Sequence, residues 1–351
     1  MKPALLELLV DPTSGGSLRL ELTESAENEL HEGALYGSID GVRYPLYNGI
    51  PRLVVIDDSG QIQTADAFGF KWQKRDTYDS PAVKSEATVW YLAKYGYASL
   101  EEWAQFYDSR QRILDVGCGS GFSSSLWLDT PYWSGRAMWV GADISLAVDV
   151  AQERVGHLPN THFVQANALH LPFADGSFDT VFSEGVLHHT PSTRAALLAS
   201  ARVLGKGGEF HFYVYRRKGP LREFTDDYVR TAISSLSDEA AWDAMRSLTR
   251  LGQALAELHT RVQIQEDVPL LGIRAGEYDI QRLIYYQFAK LYWNSTFSFE
   301  ENVHINFDWY RPQYAHRQSV EEVYSARLIL GHPRRAAFPR SDEVSALLRN
   351  V

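Results

Sequence analysis

From residue 113 to residue 215, short apolar runs alternate with stretches of helix length. "RILDV", "AMWVGADI", "THFVQA", "FDTVFS" and "GEFHFYVY" read as strands, and "SLAVDVAQERVG" and "TRAALLASARVL" between them read as helices. Such alternation predicts an α/β fold, a mainly parallel, doubly wound sheet with helices on both faces. Residues 1–56 carry glycines and brief apolar alternations such as "LRLEL", "VRYPLY" and "IPRLVVI", which predict a small β-rich unit. Residues 57–112 read as a polar linker, the aromatic stretch "AFGFKWQKRDTYDS", and a helix over "TVWYLAKYGYASLEEWAQF". Residues 216–318 break the rhythm with helical segments rich in aromatics and no clear strand alternation, and are expected to form a lid. In 319–351, "SVEEVYSARLILG" reads as a last core helix before a short, weakly patterned tail.

Composition narrows the partners. A chain of 351 residues suits one large domain with an appendage, or two domains. Its 45% hydrophobic and 13% aromatic content supports a buried core, and its net charge of -10 argues against a nucleic-acid partner. The single cysteine, Cys118, excludes an intrachain disulfide and a Cys-rich metal site, and reads as a small buried filler. No stretch approaches the roughly 18 apolar residues of a membrane span, so a soluble cytoplasmic protein is expected. Oligomeric state stays open.

The chemistry starts at "ILDVGCGSGFSS", where a strand ends in an acid followed by glycines on alternate positions. A phosphate-gripping loop needs a closing G-K-[ST], which is absent. The dinucleotide fingerprint needs its third glycine where Phe122 stands. Asp115 is unwelcome beside a pyrophosphate but suits a ligand bearing an ammonium group. S-adenosylmethionine has that group, no phosphate, and a nucleoside that requires close backbone approach.

Residues 113–214 resemble the class I, S-adenosylmethionine-dependent methyltransferases, with several motifs in order. The resemblance implies a Rossmann-like core in which Asp115 lies near the cofactor's amino group and Gly117, Gly119 and Gly121 line its methionine and ribose. In "GADIS" it implies Asp143 on the ribose hydroxyls and Ile144 against adenine. In "VQANALHLPF", Asn167 stands where the family often has Asp and would accept from the adenine amino group, with the Ala168 amide at the ring nitrogen. "SEGVLHH" would border the transferable methyl, Glu184 on the cofactor side and Gly185 on the acceptor side. His188 is the expected catalytic base and His189 is expected to be structural.

The front end is similar to a small zinc-ribbon-like domain associated with many methyltransferases, but Asp11, Ser14, Gly37 and Asp40 occupy its cysteine positions. Such a set does not make a structural zinc site, so no metal is expected there or elsewhere. "FGFKWQ" resembles an entrance element in which Phe68 and Trp72 would cover the cofactor. In the lid, "ENVHINFDWYRPQYAHRQS" is dense in polar and aromatic side chains, and His304, Asn306, Tyr310 and His316 are its candidate acceptor contacts. The expected function is methyl transfer to a small molecule, with an oxygen acceptor favoured. The alternatives are a protein or RNA methyltransferase, or a cofactor-binding scaffold that activates a partner without doing chemistry; such a scaffold would show a decayed cofactor motif, and this motif is intact.

Overall fold

The computed structural model describes residues 1–26, 29–329 and 343–349. Helix α1 (Pro3–Leu6) leads into strands β1 (Leu18–Ala26), β2 (Glu29–Gly37), β3 (Arg43–Tyr47) and β4 (Ile50–Leu53). Helices α2 (Ser59–Gln73), α3 (Pro81–Tyr95) and α4 (Leu100–Asp108) follow. The alternating region supplies β5 (Arg112–Val116), α5 (Phe122–Leu128), β6 (Met138–Asp143), α6 (Ala147–Val155) and β7 (Thr161–Ala166), then β8 (Phe178–Glu184), α7 (Thr193–Arg202) and β9 (Leu204–Tyr215). Beyond it come α8 (Pro220–Ile233), α9 (Asp238–Glu257), β10 (Arg261–Ile264), β11 (Gly276–Asp279), α10 (Ile280–Gln287) and α11 (Phe299–Tyr310). The described chain ends with α12 (Val320–Ile329) and β12 (Glu343–Arg349).

One sheet runs in the order β1-β2-β3-β4-β7-β6-β5-β8-β9-β12. Strands β4 to β9 are parallel, and β12 is antiparallel to β9. The order reverses at β5, which has β6 and β7 on one side and β8 and β9 on the other. Ligands bind in the crevice that such a reversal opens beyond the strand ends. Alternate side chains sort into two layers. Ile113 and Phe182 join Trp103, Tyr107, Trp127 and Trp139 on one face, whereas Leu114 and Val181 join Leu5, Phe173, Leu187 and Phe210 on the other. A third cluster, with Trp242, Met245, Val303, Phe307 and Tyr310, holds the lid helices together and reaches Tyr215 at the end of β9.

The structure departs from the sequence expectation in four places. The front β unit is an antiparallel meander that continues the central sheet, because β4 pairs with β7 at Arg52↔Gln165 and Leu53↔Ala166. The helix expected over 88–106 is two helices. Gly96 takes the left-handed conformation (φ 76°) that ends α3, and the Ser99 hydroxyl accepts from Glu102 N at 3.1 Å to start α4. The lid contains a hairpin, β10 with β11. The tail contains β12; its residues 330–342 and 350–351 lie outside the described residues.

The four degenerate positions of the front unit do meet. Asp11 Oδ1 accepts from Thr13 N and Ser14 N, both at 2.8 Å, and Gly37 lies between the Asp11 and Asp40 carboxylates. Asp11 thereby organises its turn through backbone donors. Among the described residues, no three His, Cys, Asp or Glu side chains gather as a metal site.

Candidate functional site

The loop after β5 is shaped by backbone that only glycine adopts readily. Gly117 has φ +74°, and a Cβ there would overlap the Val186 side chain; Gly119 has φ +53°, and a Cβ there would lie 2.7 Å from Trp72 Nε1. Asp143, at the end of β6, fixes this loop by accepting from Gly119 N at 2.8 Å. Its other oxygen accepts from Ser145 N at 2.8 Å and Ser145 Oγ at 2.6 Å. Burial pushes the Asp143 carboxyl upward, against the stabilising donors of Ser145 and Gly119 and the charge of Lys71.

One cavity of about 760 Å³ starts at this loop and runs beneath the lid. Its cofactor-side wall contains Gly117, Asp143, Ile144, Asn167, Ala168 and Glu184, with Phe68 and Trp72 from α2 opposite. All eight were expected to meet the cofactor, and the fold brings them to one space. Asp115, Gly119 and Gly121 lie behind the wall. Asp115 turns its carboxylate to Ser124, whose hydroxyl donates at 2.5 Å, and burial raises the Asp115 pKa to about 7. The side chain expected near the cofactor's amino group thus ties the end of β5 to α5 through one of its oxygens.

Asn167 lines the cavity, but its amide is fully engaged. It exchanges hydrogen bonds with Gln61 (2.9 and 3.0 Å), donates to Val55 O at 2.8 Å and accepts from Leu169 N at 3.0 Å. Two donors and two lone pairs are thus satisfied within the chain. Gln61 of α2, silent in the sequence reading, shares this end of the cavity.

The two adjacent histidines are placed the other way round from expectation. His188 is fully buried, with neither ring nitrogen hydrogen-bonded and its ring centroid 3.7 Å from that of Tyr215. His189 lines the cavity, and its Nδ1 lies 2.6 Å from Tyr314 O. A carbonyl only accepts, so Nδ1 carries the proton and Nε2 keeps a lone pair, which has no protein partner. Burial lowers the His189 pKa to about 4, with the Asp308 charge opposing. The reversal follows from the single 3₁₀ turn at Leu187–His189, whose phase decides which neighbour faces inward.

The lid wall mixes expected and unexpected residues. His304 and Gly185 line the cavity as expected. Thr77 Oγ1 donates to Lys74 O at 2.7 Å, so His304 Nδ1, at 2.8 Å, donates to Thr77. Asn306, Tyr310 and His316 do not line it. Asn306 braces the loop at Tyr292 and bonds Thr249, Tyr310 bonds Asp226 and Lys290 N, and His316 uses its backbone N–H on His188 O. The lining also carries Lys71 and Asp308, which the sequence reading did not select, besides the expected Glu184. Lys71 of α2 pairs with Asp308 of α11. Glu184 pairs with Lys94 at 2.8 Å, both side chains almost fully buried, and the Lys94 amine lies 3.3 Å from the Trp90 ring centroid. Burial pushes Asp308 up, but Lys71 and His189 outweigh it and hold the carboxyl well below its ordinary range.

Part of the chain is similar to known proteins. Residues 114–212 match the family described as a methyltransferase domain. The chain is 31% identical over 127 residues to a phthiotriol/phenolphthiotriol dimycocerosates methyltransferase of Mycobacterium tuberculosis, covering 36% of this chain and 46% of that one. It is 30% identical over 133 residues to a demethylmenaquinone methyltransferase of Renibacterium salmoninarum, covering 37% and 53%. The matches thus span about half the length of these curated relatives. Among solved structures, the CurJ carbon methyltransferase shares 12% identity at a TM-score of 0.44, covering 83% of this chain and 61% of that one. The N-methyltransferase NodS of Bradyrhizobium japonicum, solved with S-adenosylhomocysteine, shares 17% at 0.34, covering 44% and 74%. Over residues 114–212 the chain is thus similar to a methyltransferase domain.

Proposed function

We propose that the chain transfers a methyl group from S-adenosylmethionine to a small molecule held between the strand ends and the lid. The observation that carries this reading is the continuity of the cavity, which joins Gly117 and Asp143 to Lys290 and Tyr292 beneath α8, α10 and α11. A pocket roofed by helices suits a compact acceptor better than a folded macromolecule. The two named relatives, designated for phthiotriol dimycocerosates and demethylmenaquinone, support the same class.

The residues present fit the cofactor. Gly117 brings bare backbone to the cavity wall, Asp143 keeps one lone pair on the oxygen that holds Gly119 N for a ribose hydroxyl, and Phe68 and Trp72 supply an apolar cover. When bound, S-adenosylmethionine supplies an electrophilic methyl on its sulfonium. The chain's part is to orient the acceptor, exclude water and remove a proton. His189 is the base we assign, in place of His188. Its Tyr314 hydrogen bond fixes the tautomer with Nε2 as acceptor, and its lowered pKa keeps the ring neutral at physiological pH. An oxygen acceptor fits a site that offers a neutral imidazole lone pair.

Titration calorimetry with S-adenosylhomocysteine, followed by transfer of tritiated methyl from S-adenosylmethionine into a small-metabolite extract, tests the reading. Label in the low-molecular-weight fraction is expected. Label confined to added protein or RNA would overturn the acceptor class, and failure to bind S-adenosylhomocysteine would overturn the whole proposal.

A further inference from the structure

The two ends of the cavity differ in charge balance. Near the cofactor wall each cation has its acid: Lys71 has Asp308, and Lys94 has Glu184. Beneath the lid, the lining carries Lys218, Arg222, Arg282 and Lys290. Asp226 faces Arg222, accepting from its Nε at 2.9 and 3.0 Å, and its oxygens also take Trp309 Nε1 at 2.9 Å and Tyr310 Oη at 3.1 Å. Asp308 is committed to Lys71 and to Tyr215, whose hydroxyl donates at 3.4 Å. Glu301 accepts from Ser298 N at 2.6 Å in the capping box of α11. Glu86 is exposed and lies within electrostatic reach of Tyr292.

Lys290 is therefore an outlier. Its side chain is buried, its amine lies 4.3 Å from the Trp309 ring centroid, and among the described residues it makes no ion pair. Arg282 lines the same end, with its guanidinium 5.7 Å from the Tyr285 ring centroid and 3.5 Å from Trp293 O, and among the described residues it makes no ion pair. The nearby Asp308 and Asp226 charges and the Trp309 ring offset only part of the cost of burying this ammonium. Desolvation accordingly pushes the Lys290 pKa down to about 7. Tyr285, Tyr286, Tyr292 and Trp309 surround the same space with rings.

We propose that the methyl acceptor carries an anionic oxygen head, a carboxylate or a phosphate ester, that seats on Lys290 and Arg282 at the lid end, with its apolar body along the tyrosines. This inference rests on the small-molecule methyltransferase reading and adds the charge of its substrate. The ligand's anion adds a direct counter-charge to Lys290, whose neighbouring acids Asp308 and Asp226 are committed to Lys71 and Arg222.

The test uses the full chain saturated with S-adenosylhomocysteine and three probes: phenylacetate, phenyl phosphate and the uncharged phenylacetamide. Calorimetry should show at least one anion binding about tenfold or more tighter than the amide, the scale of one charge-assisted hydrogen bond. The tighter anion then distinguishes a carboxylate from a phosphate head. Lys290→Met should erase that preference, and Lys290→Arg should restore part of it, while affinity for S-adenosylhomocysteine is unchanged in both. Equal binding of anion and amide, no binding of any probe, or a preference that survives Lys290→Met would overturn the proposal. Weakened S-adenosylhomocysteine binding in Lys290→Met would also overturn it, by placing the lysine on the cofactor. A wild-type chain that does not bind S-adenosylhomocysteine would instead sink the underlying methyltransferase reading.

Discussion

Lys71 and Asp308 form an ion pair that ties the entrance helix α2 to the lid helix α11 across 237 residues of chain, with the lysine side chain 3% exposed. Removing one partner strands the other. Asp308→Asn should lower the unfolding free energy by about 3–5 kcal/mol, the usual cost of an uncompensated buried charge. The double variant Lys71→Met/Asp308→Leu should recover much of that loss in urea denaturation. Because the folded-state pKa of Asp308 is depressed, its contribution is present above the ordinary carboxylate range and disappears as pH falls through the depressed value.

The neighbouring histidines separate by assay. His188→Phe replaces a buried imidazole that has no hydrogen-bond partner with an apolar ring of similar shape, and should raise stability by about 1 kcal/mol. His189→Gln should leave S-adenosylhomocysteine affinity intact and lower kcat by about 10²–10⁴ if the acceptor loses a proton. A full loss of turnover in His188→Phe, with His189→Gln active, would reverse the assignment.

Acid should destabilise the chain in a window set by its buried rings. Burial lowers His162 and His189 to about 4 from 6.5, and depresses His188 and His304 further. Between those values the unfolded chain binds more protons, so stability falls as pH drops from 6.5 toward 4, by about 1–2 kcal/mol per histidine at pH 5. Asp115 works in the opposite direction. Its folded pKa, about 7, lies above the ordinary 3.8, so its burial penalises the fold increasingly as pH rises between them. Asp115→Asn should therefore gain most over wild type at pH 8, with the gap closing near pH 4; urea midpoints at a series of pH values check both slopes.

Gly117→Ala should cost both stability and cofactor affinity, because Val186 and the loop must shift together. The added methyl meets Val186 at a backbone conformation (φ +74°) that alanine adopts with strain of about 1–3 kcal/mol. S-adenosylhomocysteine binding about tenfold weaker by calorimetry is expected.

Local patterns carried the parts of this site that are local. Gly117, Asp143 and Asn167 stand at strand ends in the alternating region, where a strand-and-glycine reading finds them, and all three line the cavity. Lys71, Gln61 and Lys290 were illegible for the complementary reason. Gln61 gains its meaning from Asn167, 106 residues away, and Lys71 from Asp308. Helical periodicity says that such side chains lie on some face, and only packing says which face meets the cavity. Asn306 and Tyr310 were attractive for their chemistry, yet their partners Tyr292, Thr249 and Asp226 are all supplied by the lid itself. His188 and His189 show the limit at its finest grain, since one step of a 3₁₀ turn separates a packed ring from a cavity-lining one.

The join between β4 and β7 also has a consequence for solubility. Two residue pairs, with Arg52 clamped on Asp149 at 2.6 Å, are enough for β4 to occupy the flank of β7. Without the first 56 residues, β7 would become an outer strand whose unpaired backbone groups invite strand addition from another copy. A chain begun at residue 57 should therefore self-associate rather than behave as a smaller version of the same protein, which makes the front meander a guard against misassembly as well as a part of the sheet.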